Sequence, residues 1–247
     1  MADGDTPARI RLGAGGQAAN VAAWASVLGG TGRIICKRGS DTMGRLATAE
    51  LESYGVEVRG PVASGRSGVV ASIREVNGQR TMASDRGVAP LLDPDELDGD
   101  WVTTADVLHV SGYCLFREPI AAAAITAAAS ASRVTVDLSS AQGIRATGVE
   151  RFRTMLAALK PDLVFATETE RAVIPDFPAT WVTKLGPRGA VFPEGAYPAR
   201  STHPVDTTGA GDALAAGYLL GGPELAMEAA ARCVTHVGAM PPSTQRE

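Results

Sequence analysis

Four short apolar runs, "ADVLHVSG", "VTVDLSS", "PDLVFAT" and "TWVTKLG", are separated in the sequence by helical stretches. The first separator, "REPIAAAAITAAASAS", is rich in alanine, the second is "VERFRTMLAALK", and the third is the short "ETERAVI". Runs dense in Val, Ile and Leu without polar alternation are strands buried on both faces, and helices between them make the sheet parallel. The pattern therefore predicts an α/β fold of three layers, α/β/α, around a mostly parallel central sheet. Sheets of this kind bind ligands at the carboxyl ends of their strands. Gly15-Gly16, Asp137, Glu170, Gly186 and Asp212 all fall at such ends.

The flanking sequence reads less regularly. "ARIRL" is a strand candidate leading into the helix "GAGGQAANVAAWASVLGG", which Gly29-Gly30 close. "RIICK" is a further strand, and Asp41 is placed to cap a helix over "TMGRLATAELESYG", with Leu46 and Leu51 inward and Gly55 as its stop. "VEVRGP", "SGVVASIRE" and "QRTMASD" then follow with no helix between them, the last two joined by Asn77-Gly78, a strong hairpin signal. This run predicts a small β lid at about residues 56–85, set apart from the main sheet, within a single domain spanning 1–247. Two helices close the chain, one over "AGDALAAGYLLGG" and one over "PELAMEAAARCVTHVG".

Composition excludes several classes. A hydrophobic content of 45%, a charged content of 20% and a net charge of −4 describe a soluble globular protein whose main partner is neither nucleic acid nor an anionic membrane. Cys36, Cys114 and Cys233 are far apart, with neither metal spacing nor a disulfide framework, which points to a reducing cytoplasm. No apolar run reaches membrane-spanning length, and the N-terminal stretch lacks a signal peptide's hydrophobic region. His109, His203 and His236 are widely separated and read as structural.

The chemistry concentrates in "PVDTTGAGDALAAGYLLGG". Asp212 stands at the start of a helix behind Gly209, Ala210 and Gly211, residues with almost no side chain. One reading is a plain helix cap. The other is an anion site, where backbone amides approach a phosphate closely and the carboxylate takes a proton from an attacking hydroxyl. The stretch alone leaves both open. "GAGGQA" at 13–18 adds a rival, because it fits the dinucleotide fingerprint G-x-G-x-x-A. Lys37-Arg38 stand where an NAD enzyme wants an acid, so that rival is an NADP-dependent dehydrogenase.

Taken together, "GGQAANVA" and "DTTGAGDALAAGYL" resemble the two signature regions of the ribokinase-like (PfkB) family of carbohydrate kinases. The resemblance continues through "GSDTMGRLATAELESYGVEV", "VNGQRTMASDRGVAPLL", "DVLHVSGY", "KLGPRGAVF" and "VTHVGAMPP". It implies a ribokinase-like fold and ATP-dependent phosphorylation of a carbohydrate or sugar-like hydroxyl. Asp212 would be the base, with the amides of Gly209, Ala210 and Gly211 holding the phosphoryl oxygens. Gly15, Gly16, Gln17 and Asn20 would bind the small-molecule substrate, and Lys184, Gly186, Gly189 and Thr208 the nucleotide. Glu170 would organise Mg²⁺ through water, although Thr167 stands where the family has Asn. Asp206, with the loop at Gly238, resembles a monovalent-cation site for K⁺; the alternative is that it braces the turn. Arg188 reads as a solvated turn residue beside the phosphates. The family's further N-terminal strand, with an acid on the sugar hydroxyls, has no counterpart here, since Asp5 stands in no matching strand; its final helix is also absent. A nucleoside kinase, or a sugar- or nucleotide-binding regulator without activity, are the alternatives. An exposed β lid would suit edge pairing in a homodimer.

Overall fold

The computed structural model describes residues 8, 10–74 and 80–242. In chain order the elements are α1 (Gln17–Val27), β1 (Arg33–Ile35), β2 (Arg38–Gly39), α2 (Thr42–Ser53), β3 (Glu57–Arg59) and β4 (Val62–Ala63). The paired strands β5 (Val69–Arg74) and β6 (Arg80–Asp85) come next, then α3 (Asp100–Thr103), β7 (Leu108–Ser111) and α4 (Ile120–Ala129). They are followed by β8 (Val134–Asp137), α5 (Ala141–Thr147), α6 (Val149–Leu159), β9 (Leu163–Thr167) and α7 (Glu168–Arg171). The chain closes with β10 (Trp181–Lys184), β11 (Ala190–Phe192), β12 (Gly195–Tyr197) and α8 (Ala210–Cys233).

The four apolar runs form β7, β8, β9 and β10, which lie side by side and parallel. Beyond β10 the sheet continues antiparallel through β11 and β12, giving the order β12-β11-β10-β9-β8-β7. The last two strands carry no strong strand signal in "GAVFPEGAYPAR" and escape a reading of the sequence.

Alternation along β9 shows how both faces are filled. Val164 and Ala166 point into one core with Ile144, Phe152 and Leu156 of α5 and α6. Leu163 and Phe165 point into the other, with Val21 and Trp24 of α1 and Ala213, Ala215 and Ala216 of α8. Every residue from Leu163 to Ala166 is buried. A strand that must be apolar on both faces sits mid-sheet between two helical layers. The alanines of α4 and α8 favour helix and let those helices approach closely.

Local signals end the helices as the sequence predicts. Asp41 accepts the Gly44 N–H at 2.9 Å at the start of α2, and Gly55, at φ 79°, closes it. Leu51 is buried and Leu46 half-buried. The two final helices within α8 are divided by the non-helical Gly221 and Gly222, and Pro223 opens the second, where a missing N–H costs nothing.

Three readings need correction. Among the described residues no strand is found at 10–15, ahead of α1, where Ile10 and Leu12 stand 83% and 64% exposed with no sheet beside them. Of the stretch 56–85, β3 pairs in parallel with β1, so the lid proper narrows to the β5–β6 hairpin, whose residues pair from Val69–Asp85 to Arg74–Arg80. The short helix α5 lies between β8 and α6, where no helix was read. The Asn77-Gly78 turn and Asp5 lie outside the described residues. No described helix is long and apolar enough to cross a membrane.

Phe165 is fully buried at the centre of the sheet and meets His109 and Tyr218 edge-on. Phe165→Ala removes a ring from a close-packed site and should destabilise the fold by about 3–5 kcal/mol. Urea unfolding should show the loss as a lower midpoint at an unchanged slope.

Candidate active site

Gly209 begins α8 in the left-handed region at φ 80°, and a Cβ there would lie 2.5 Å from the Ala239 side chain. Both facts require glycine. The helix starts at Ala210, so Asp212 is its third residue rather than its cap. The first-turn amides of a helix have no partner within it. Here the Ala210 N–H turns back to the Thr207 carbonyl at 3.3 Å, a long bond. A Cβ at Gly211 would stand 3.3 Å from Lys184 Nζ, which brings an ammonium to the mouth of the same turn.

Asp212 is held by side chains from the first glycine motif. Asn20 Nδ2 donates to its Oδ2 at 2.6 Å across 192 residues of sequence, and the Gln17 side chain adds a smaller stabilisation of its charge. Asn20 is buried, and its Oδ1 has no partner. Gln17 Oε1 accepts from Ser111 Oγ at 2.5 Å and from Ser139 Oγ. With its oxygen held by two hydroxyls, the Gln17 amide nitrogen is left to face Asp212. The plain-cap reading of Asp212 fails, because Gly209 holds the cap position and the Asp212 carboxylate accepts from Asn20 of α1.

A buried ion pair completes the electrostatics. Lys184 Nζ lies 2.5 Å from Asp137 Oδ2, with the aspartate side chain 1% exposed. Burial by itself lowers the lysine's pKa, but the carboxylates of Asp137 and Glu170 overcome it and hold the ammonium above its usual range. Asp212 goes the other way. Burial pushes its carboxyl up, the Asn20 bond pulls it down, Asp137 repels its charge, and the outcome is about 7. A carboxyl poised near neutrality can act as a proton acceptor.

The remaining expected residues divide. Gly15 and Gly16 face open space, and Gly16 enters α1 at φ 98°. Glu170 is buried but engaged, since its Oε2 accepts the Thr167 N–H at 2.7 Å while the Thr167 hydroxyl caps α7 at the Glu170 N–H. Gly186 sits at φ 60° with nothing near it; Gly189, at φ 102°, would place a Cβ 2.0 Å from the Tyr197 carbonyl, so the turn itself demands glycine. Asp206 accepts from Thr208 N and Oγ1 at 2.9 and 2.6 Å and from Gly238 N at 3.1 Å, thereby joining two loops. Arg188 pairs with Glu168 in solvent. Among the described residues no cluster of three or more His, Cys, Asp or Glu side chains could hold a metal.

Ser111 and Ser139 were not read from the sequence, and nothing local signals them; Ser139 reaches Gln17 from a backbone at φ 67°. Asp137 did carry a signal, as an acid closing a buried parallel strand. His109 is half-buried, bonded to Thr135 at 2.9 Å and lowered by dehydration to about 4, so it is neutral and structural. The dinucleotide reading loses its context. No strand precedes "GAGGQA" among the described residues, Lys37 is paired with Glu96 at 2.6 Å, and Arg38 bonds the Gly60 carbonyl.

The pfkB family carbohydrate kinase model matches residues 2–241. An ATP-dependent ribose-1-phosphate kinase from Halopiger xanaduensis is 33% identical, over 94% of this chain and 83% of its own. Fructokinase-1 of Zea mays is 28% identical over 83% and 72%. Among solved structures, adenosine kinase from Sinorhizobium meliloti superposes with a TM-score of 0.86 at 24% identity, covering 93% of this chain and 80% of that one. A putative ribokinase II from E. coli gives 0.80 at 20% identity, covering 91% and 84%. The chain belongs to the pfkB family of carbohydrate kinases.

Proposed function

We propose that this kinase transfers the γ-phosphoryl group of ATP to a hydroxyl of a sugar or sugar-like acceptor, with Asp212 as the base. The observation that carries the reading is the carboxyl of Asp212, poised near 7 at a glycine-built helix start and steered by Asn20 and Gln17 from the other glycine motif. The acceptor would lie over Gly15 and Gly16, where the absent side chains leave room. Its hydroxyl would displace the Asn20 or Gln17 amide at Asp212, and the buried, unpartnered Asn20 Oδ1 would take a second hydroxyl.

The described residues fit a triphosphate. Gly209, Ala210 and Gly211 carry almost no side chain to block its approach, the Ala210 N–H would leave its long bond to Thr207 to meet it, and Lys184 adds positive charge beside Gly211. Gly186, Gly189 and Thr208 would flank the rest of the nucleotide. A putative ribokinase II from E. coli, similar in fold, has been solved in complex with ATP and Mg²⁺, which supports the pairing with metal. With no direct carboxylate cluster among the described residues, magnesium would rest on phosphate oxygens and waters, with Glu170 behind them. Bound MgATP supplies the phosphoryl group and neutralises its oxygens. The protein aligns the hydroxyl, takes its proton at Asp212, and stabilises the developing charge with the α8 amides and Lys184. Asp206 and Gly238 are where K⁺ would act, at the joint of two loops.

The relatives' names divide over the acceptor: ribose 1-phosphate, fructose and adenosine. The lid exposes Val69, Val70, Ile73 and Met82, the surface on which a second copy would pair. Free thiols at Cys36, Cys114 and Cys233 suit a reducing cytoplasm.

Asp212→Asn should lower turnover roughly 10²–10⁴-fold, as an ADP-release assay reads it, because an amide takes no proton. Nucleotide binding by calorimetry should survive; near-normal turnover would remove the base from the mechanism.

Titration makes a second, independent prediction. Activity should fall about tenfold for each unit of pH below about 7, as the base becomes protonated. Stability moves in the opposite sense. The folded state binds this proton more tightly than the unfolded chain does, so ionising Asp212 costs stability above the unfolded value near 3.8, in full above about 7. Asp212→Asn escapes that cost. Its gain in melting temperature over the wild type should therefore grow between about pH 4 and 7, then level off.

Chelation of Mg²⁺ should abolish turnover. Exchange of potassium for sodium should lower it; equal rates in both would leave Asp206 as a brace alone.

A further inference from the structure

Between the lid and the end of β7 lies a cavity of about 420 Å³ lined by Arg86, Arg117, Asp85 and Glu118 among others. Its two acids are already engaged. Asp85 meets Arg66 at 3.1 Å and the Gly87 N–H at 3.0 Å, while Glu118 accepts the Ala122 N–H at 3.1 Å. Its two arginines are not. Among the described residues neither Arg86 nor Arg117 meets a carboxylate, and the recorded contact of Arg86 is the Tyr113 ring, 4.6 Å from guanidinium carbon to centroid.

The cavity is connected to the candidate site by one short segment. Ser111, at the end of β7, holds Gln17; a 3₁₀ turn at Gly112–Phe116 follows, and Arg117 comes directly after it. At about 2 Å of rise per residue, Arg117 stands roughly 10 Å along from Ser111. Tyr113 senses both ends. Burial raises its phenol's pKa, Arg86 opposes that, and Glu170, Asp137 and Asp212 raise it further, so the ring lies within electrostatic reach of the site carboxylates. Two like charges facing one cavity repel each other, and an anion between them relieves that repulsion with charge-assisted, bidentate bonds.

We infer that Arg86 and Arg117 anchor an anionic group on the acceptor, so that the sugar phosphorylated here already carries a phosphate or a carboxylate. The inference rests on the kinase reading and selects the substrate class within it. The reactive hydroxyl lies at Asp212, and the charged end of the same molecule extends beneath the lid to the two guanidinium groups. Arginine suits both anions, because its planar fork matches their oxygens.

Calorimetric titration of the whole chain with ribose 5-phosphate, gluconate and ribose tests this directly, alongside ADP release from the same acceptors. The anion site requires at least one of the charged probes to bind at least about tenfold more tightly than ribose, and Arg86→Gln and Arg117→Gln each to weaken that binding about tenfold or more. Both side chains are exposed, and circular dichroism confirms that the variants fold. Lysine at either position should restore part of the loss. The phosphate and gluconate arms distinguish the two anions. Ribose binding as tightly as both charged probes, or glutamine variants binding them like the wild type, overturns the anion site and leaves the kinase reading intact. If the wild type releases ADP with no acceptor, the kinase reading falls, and the titrations still decide whether the arginines bind an anion.

Discussion

One buried ammonium organises the cleft. Lys184, at the end of β10, sits against Asp137 at the end of β8 and beside Gly211 at the start of α8. A carboxylate as buried as Asp137 would be costly without a partner, and a lysine at this depth would lose its proton without an acid. The pair keeps both charged. It leaves a single cation among three acids, Asp137, Glu170 and Asp212. Asp137 takes the direct bond, and Glu170 is anchored by its own helix start. Asp212 bears the unmet burial and repulsion, which places it near neutrality. The raised pKa of the proposed base follows first from burial, which the Asn20 bond opposes, with repulsion from Asp137 added and Lys184 offsetting part of it.

Geometry comes from the packing of α1 against α8. Trp24, fully buried in α1, donates Nε1 to the Ala239 carbonyl at 2.9 Å, which fixes α1 against the loop beyond α8. The same loop closes over Gly209, whose missing side chain makes the approach feasible. Asn20 and Gln17 then meet Asp212 without adjustment. Acceptor side and phosphate side are thus two helix starts aimed at one point. Helix starts are polar and rigid, so the amides need little reorganisation as charge develops.

Much of the fold was legible in local pattern. Four apolar runs of strand length, separated by helices, allow hardly any arrangement except a covered parallel sheet, and β7 to β10 form it. Asp41 and Gly55 bound α2 because capping depends on neighbours a few residues away. The failures are equally physical. "ARIRL" alternates as a strand does, but a strand exists only if an edge receives it. β11 and β12 are three residues each, too short for periodicity to register. The lid hairpin was read correctly, whereas β3 was assigned to it because parallel pairing with β1 leaves no mark in sequence.

The site divides along the same line. Sequence alone determined the residue types and their order: two glycine motifs, a carboxylate behind the second, and acids at the ends of buried strands. Those features depend on backbone freedom and local charge, which neighbouring residues express. Only the tertiary structure decided what each side chain touches. It turned Asp212 from a plausible cap into a carboxyl held by Asn20 and Gln17, brought Ser111 and Ser139 to one amide oxygen, and paired Lys184 with Asp137. It also showed Asp206 joining two loops and placed Arg86 and Arg117 on a cavity whose two acids, Asp85 and Glu118, bond to other groups. Hydrogen bonds and dehydration are set by distances between segments as many as 192 residues apart, and no local pattern encodes those distances.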